Sequence, residues 1–151
     1  MSNISFKRLL ATDAGYGPVA LRVLVGIIFA AHGAQKLFGW FGGYGLAGTG
    51  EYFGSLGLHP GTLMALLAGA AEFFGGLALV LGLLVRPAAA TLAFTMVVAI
   101  GAAHAGNGFF LDKGGYEYAL ALFAAAVSLL FSGGGRYAMD AALVPSAIEA
   151  R

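Results

Sequence analysis

The chain has 151 residues, 60% of them hydrophobic and only 10% charged, with a formal net charge of +1 and no cysteine. An average soluble domain carries roughly 25% charged residues; with a mean hydropathy of +0.87, this chain cannot coat a water-soluble surface and reads as a membrane protein. Eight Lys+Arg against seven Asp+Glu leave no basic face for nucleic acid, and the lack of cysteine removes disulfide exchange, thiolate nucleophiles, Cys-ligated iron–sulfur clusters and covalent haem.

A membrane-spanning helix needs about 20 mainly apolar residues. Lys7 and Arg8 ahead of an apolar run resemble a signal peptide. The run is too long for the apolar region of one, however, and no small-residue cleavage site follows it. The first span is therefore expected to be retained, over about 18–38, with Pro18 at its start where the missing N–H costs nothing. Ile4, Phe6, Leu9 and Leu10 before it are read as lying on the inner membrane surface.

The loop that follows carries Trp40, Phe41, Tyr44, Tyr52 and Phe53, aromatics suited to the headgroup level, and residues 47–56 are expected to form a short interfacial helix. Gly43-Tyr44-Gly45-Leu46-Ala47-Gly48 matches the dinucleotide-binding fingerprint letter for letter. No β-strand precedes it and no βαβ unit surrounds it, so it is read as loop. Further spans are predicted over about 61–85, with Glu72 as its only charge before Arg86, over 87–105, and over 115–132. The last is the shortest, and its start is placed at the interface. The 25 glycines fit such an assembly, because glycine lets helices in lipid approach closely. The expected fold is one all-α domain, 1–151: an integral membrane four-helix bundle with a short interfacial helix in its outer loop.

Orientation is read from the Lys/Arg bias. One side of the predicted bundle holds Lys7, Arg8, Arg22, Arg86, Arg136 and Arg151, the other only Lys36 and Lys113, which places both termini in the cytoplasm. Arg22, near the inner end of the first span, is expected to snorkel to that surface.

Ionisable groups inside a span are costly and mark either structural pairs or functional sites. His32, Gln35 and Lys36 fall in the outer third of the first span, with His32 and Lys36 one turn apart on one face. Glu72 lies halfway along the second; its helical neighbours Ala65, Ala68, Gly69, Gly75, Gly76 and Leu79 are nearly all small, so it is expected to face other helices. His104 and Asn107 close the third span and Glu117 opens the fourth, above a stripe of Ala121, Ala124 and Ser128. Together these predict a polar pocket in the outer half, formed by His32, Gln35, Lys36, Trp40, Glu72, His104 and Glu117. Phe38, Trp40, Phe109, Phe110 and Tyr116 would form its rim.

Three chemistries are compatible with that set. A structural ion pair of Lys36 or His32 with Glu72 would hold the helices in register. A quinone head group would find donors in His32, Lys36 and His104, a proton carrier in Glu72 or Glu117, and an aromatic wall. A b-type haem would need His32 and His104 as axial ligands, though the two differ in depth. No metal site and no Ser-His-Asp arrangement stand out, and His59 beside Pro60 reads as an interfacial side chain.

Three motifs carry a resemblance to a known family: His32-Gly33-Ala34-Gln35-Lys36-Leu37, Glu72-Phe73-Phe74-Gly75-Gly76 running on to Gly82 and Arg86-Pro87-Ala88-Ala89, and Gly133-Gly134-Gly135-Arg136-Tyr137-Ala138-Met139-Asp140. Over roughly residues 16–140 the chain resembles the DoxX family of small bacterial membrane proteins. The third motif has Gly134 where the family often has proline. The resemblance implies a multi-pass protein of the bacterial inner membrane, with His32, Lys36 and Glu72 as family-typical polar positions. It further implies a subunit or membrane anchor of an oxidoreductase complex. Lacking a redox group of its own, the chain would need a quinone, another bound cofactor or a partner subunit to move electrons. The reading adopted is that His32 and Lys36 hold a quinone-like ligand and Glu72 acts as counter-ion or proton carrier. The alternative is a non-catalytic interaction or assembly protein, with a partner subunit or a homo-oligomer, in which the buried charges only fix the helices.

Overall fold

Proline at the start and glycine at the ends punctuate the chain as the apolar runs require. In the computed structural model, residues 15–135 and 137–143 are described; Ile4, Phe6, Lys7, Arg8, Leu9, Leu10, Arg136 and Arg151 lie outside them. Helix α1, Gly17–Phe38, has Pro18 in its first turn and ends at Gly39, which takes the left-handed conformation (φ 72°). A 3₁₀ turn, Trp40–Gly42, leads to α2, Gly45–Ser55, the short helix expected in this loop. Helix α3, Gly61–Leu81, stops four residues short of the expected 85, because Gly82 caps it at φ 72° and a turn through Leu84 (φ 49°) restarts the chain as α4, Val85–Ala99. A π-helical turn, Ile100–His104, and a 3₁₀ turn, Ala105–Asn107, prolong α4. After a 3₁₀ turn at Leu111–Lys113 come α5, Glu117–Ser132, and the five-residue α6, Met139–Leu143.

Gly17–Phe38, Gly61–Leu81 and Val85–Asn107 are long and apolar enough to cross a membrane; α5 is apolar but has only 16 residues. No strand occurs among the described residues. The fold is therefore an all-α membrane bundle, and its solvent is the lipid bilayer.

The four long helices run alternately up and down. Helix α1 packs most extensively on α3 and α4 on α5, and α3–α4 and α1–α5 contacts close the ring. Glycine sets the first of these contacts. A methyl group on Gly26 would stand 2.7 Å from the carbonyl oxygen of Gly76, and one on Gly33 would collide with the backbone nitrogen of Phe73. The helices thus meet backbone to backbone, the usual route to close contact in lipid. The middle of the bundle, shared by all four helices, interdigitates larger side chains: Phe29, Leu79, Val85, Leu92 and Leu129 are almost entirely buried. The stripe below Glu117 does not join this core. Ala121, Ala124 and Ser128 are exposed, and α5 instead buries Ala119, Leu122, Ala126 and Leu129. The inward expectation for the stripe is corrected because α5 meets its neighbours on the face rotated one position away.

Arg22 is also corrected. It does not snorkel but is 3% exposed. Its Nε donates to the carbonyl of Gly134 (3.1 Å), Nη1 to those of Leu79 (3.0 Å) and Val80 (2.6 Å), and Nη2 to that of Tyr137 (2.8 Å). Leu79 and Val80 lie in the last turn of α3, where orphan carbonyls carry the negative end of the helix dipole and attract a cation. Asp140 completes this clasp from the third sequence motif: its carboxylate accepts from the N–H groups of Leu84 (2.7 Å) and Val85 (2.9 Å), while its own N–H donates to the carbonyl of Gly82 (3.0 Å). The left-handed turn at Leu84, costly for a branched residue, is thereby tied at both ends.

Candidate functional site

The ends of the helices away from this clasp, near the 39–60 and 105–116 loops, hold the polar cluster. Its centre follows from the glycine contact. Gly69 leaves room for the stem of Lys36, whose Cβ would be 3.2 Å from a methyl group placed there. One turn further along α3, Glu72 is 2% exposed, and its Oε2 receives a hydrogen bond from Lys36 Nζ at 2.5 Å. This is an ion pair between adjacent spanning helices, with the lysine side chain 23% exposed and the glutamate 3%. The other carboxylate oxygen, Oε1, has no hydrogen-bond partner among the described residues and is not sealed from accessible space.

Beside the pair lies a cavity of about 280 Å³. Phe29, Met96 and Leu122 form its floor; Tyr52, Phe53, Leu56 and Leu58, from α2 and the loop after it, form one wall. Ala99, Ala102, Ala103 and His104, on the π-helical turn and the residue before it, form another, with Leu111, Gly115 and Tyr118 beyond. Four of the polar residues singled out in the sequence, His32, Lys36, Glu72 and His104, line this one space. The His32 ring lies 6.0 Å from that of Tyr118, centroid to centroid. His104 is held by its Nδ1, 2.8 Å from the carbonyl oxygen of Gly114, an acceptor that Asn107 Nδ2 also approaches at 3.3 Å.

The remaining expected residues are placed elsewhere. Gln35 reaches the carbonyl of Phe41 at 3.4 Å on the surface. Trp40 packs against Phe38, 5.1 Å between ring centroids. Glu117 turns back to accept from the N–H of Leu111 (2.9 Å) and so braces the loop before α5. None of these three lines the cavity, and neither do Phe38, Phe109, Phe110 and Tyr116, the aromatics expected at its rim. Tyr52, Phe53 and Tyr118 take that part. The first two were noted in the sequence as headgroup-level aromatics, and the amphipathic turn of α2 carries them back over the bundle. Tyr118 and Thr95 had no signal, being ordinary residues on their helices. Among the described residues no group of three or more His, Asp or Glu could hold a metal ion.

The arrangement offers a mostly apolar chamber with a neutralised ion pair, two imidazoles and two phenols on its walls. It lies near the lower end of the roughly 300–1,000 Å³ typical of small-molecule pockets. A single ring system matches that size. A porphyrin with its propionates exceeds it, and Lys36, the one lysine or arginine on the lining, has its charge already balanced by Glu72, which leaves none for two propionates.

Comparisons with curated proteins and with solved structures find no match. The family model described as DoxX matches residues 17–105, well over half of the 151. The matched stretch takes in the glycine contact between α1 and α3, the Lys36–Glu72 pair and both cavity histidines, and by that match the chain belongs to the DoxX family.

Proposed function

We propose that this protein is a multi-pass inner-membrane subunit or anchor of a bacterial oxidoreductase complex, whose cavity receives the head group of a quinone-like ligand. The observation that carries the reading is the convergence of His32, Lys36, Glu72 and His104 from three helices on one chamber with apolar and aromatic walls. Lys36 and His32 hold a ligand oxygen, and Glu72, whose Oε1 has no hydrogen-bond partner among the described residues, takes up or releases a proton there. Size supports a ring without its tail, which leaves the chamber for the surrounding lipid. Electrons come from a partner subunit, since the chain has no redox group of its own. Both termini face the cytoplasm; with Arg22 buried, the charge bias behind that orientation rests on Lys7, Arg8, Arg86, Arg136 and Arg151.

A second reading is favoured by one fact: the Lys36–Glu72 bond is complete within the chain. On that reading the pair only fixes α1 against α3, and the protein is an assembly factor or a homo-oligomeric anchor. Native mass spectrometry of protein released gently from its own membrane separates the two. A quinone-sized adduct that disappears in His32→Ala and Glu72→Gln supports the ligand site. A complex or bare oligomer with no adduct, in which the same substitutions reduce only yield, leaves the ion pair as a structural brace.

A further inference from the structure

The two nitrogens of His104 have different surroundings. Nδ1 lies 2.8 Å from the carbonyl oxygen of Gly114. A carbonyl oxygen only accepts, so Nδ1 carries the proton and donates it. In a neutral imidazole the other nitrogen is then an acceptor with an exposed lone pair. Among the described residues Nε2 has no protein partner, and His104 is part of the cavity wall. The ring is set there by the π-helical turn Ile100–His104, a local widening of the helix that recurs at functional sites.

Glu72, on the same lining, supplies a second acceptor: it uses Oε2 for Lys36, and its Oε1 has no hydrogen-bond partner among the described residues. The strongest donor of the cavity, the Lys36 ammonium, already spends one N–H on this pair. Tyr118 has a hydroxyl that serves as donor or acceptor and so does not discriminate. A carbonyl oxygen and a hydroxyl oxygen answer the remaining Lys36 N–H groups and the His32 ring equally, so the two forms of a ring ligand differ only in whether they bring donors to the acceptors of the cavity. A quinone carbonyl brings only acceptors and leaves His104 Nε2 unpaired, whereas the hydroxyls of the reduced ring satisfy both Nε2 and Oε1.

Resting on the quinone-like reading above, we propose that the cavity binds the reduced, dihydroxy form of its ring ligand more tightly than the oxidised, dicarbonyl form, with His104 Nε2 as the group that tells them apart. His104 is part-buried, and an acceptor left unpaired against a bound ligand there is a penalty large enough for a preference of about tenfold. By linkage, a tenfold preference raises the midpoint potential of the bound two-electron couple by about 30 mV over the free one. The site would then hold product after reduction, or draw the reduced carrier out of the bilayer for an oxidising partner.

The test uses the full chain in lipid nanodiscs, anaerobically and at roughly pH 8, where an ordinary histidine is neutral. The probes are 2-methyl-1,4-naphthoquinone and its hydroquinone, and the readout is the dissociation constant of each. Expected is a reduced form bound about tenfold more tightly or better, with the ratio falling toward one in His104→Gln, whose amide turns to meet either form. Equal affinities, or tighter binding of the quinone, in the unaltered protein overturn the proposal while leaving a ligand site standing. So does a preference that survives His104→Gln. Binding of neither form overturns the ligand-site reading itself, and this inference with it. The comparison in the unaltered protein decides the matter without any variant having to fold.

Discussion

Replacing Lys36 by methionine keeps the stem that lies over Gly69 and removes the ammonium that meets Glu72 at 2.5 Å. The glutamate, 2% exposed, is then a buried charge without a counter-ion. Breaking such a pair from one side costs about 3–5 kcal/mol. The lysine is itself 23% exposed, so part of its field is already screened by its surroundings, and the loss belongs near the lower figure, about 3 kcal/mol. The sign reverses when both partners go. With Lys36→Met and Glu72→Met together, no charge is left to desolvate, and replacing a buried pair by apolar side chains of similar size is neutral to stabilising. The assay is reversible unfolding of the full chain in mixed micelles, followed by helical circular dichroism, for both single variants and the double. A Lys36→Met loss below about 1 kcal/mol would mean the pair behaves like an exposed one, and the burial argument would be wrong. A double variant no more stable than Lys36→Met alone would move the loss from electrostatics to packing around Gly69.

Three further outcomes follow from the same geometry. Gly33→Ala drives a methyl group into the backbone of Phe73 and should cost about 1–3 kcal/mol, read in the same unfolding assay; unaltered stability would show that α1 and α3 can slide apart freely. Arg22→Lys keeps the charge but has no planar fork to span α3 and the segment after α5. It should lose about 2 kcal/mol or more and speed proteolysis beyond Ser132; an unchanged cleavage rate would mean that the four carbonyl contacts do not hold that segment. Asp140→Ala removes the side-chain cap of α4, worth about 1 kcal/mol, and should accelerate hydrogen exchange at the amides of Leu84 and Val85 while leaving those in the middle of α4 slow.

The spans were legible because their signals are local: apolar runs of sufficient length, Pro18 and Pro60 at helix starts and Gly39 after the first; the end of α3 at Gly82 was not, because the apolar run continues unbroken to Val85. Glu72 was legible for the same reason, since small neighbours three, four and seven residues away announce a helix–helix face. Arg22 was not. An arginine near the end of an apolar helix ordinarily reaches for the interface, and its acceptors here are backbone carbonyls between 57 and 115 residues away, which no side-chain pattern reports. Glu117 misled because a carboxylate at the start of a helix can either enter the bundle or brace the preceding loop, and only the position of the Leu111 amide decides. The rotation of α5 that exposes Ala121, Ala124 and Ser128 has a related cause: alanine is small enough for either face. The π-helical turn under His104 lies in a run of Ile, Gly and Ala with no residue that requires it.

The short fourth helix bears on the membrane itself. Sixteen residues rise about 24 Å, against about 33 Å for the 22 of α1, while a bilayer hydrocarbon core is about 30 Å thick. A helix that short is met by thinning of the bilayer, by flanking side chains that reach out, or by association with another copy, and α5 begins at Glu117, one residue from the Tyr118 of the cavity wall. Where the bilayer thins, headgroups and their water would come nearer the chamber on that flank. A dimple in the bilayer would thus supply the wet path that a pore would otherwise have to provide, at no cost in protein.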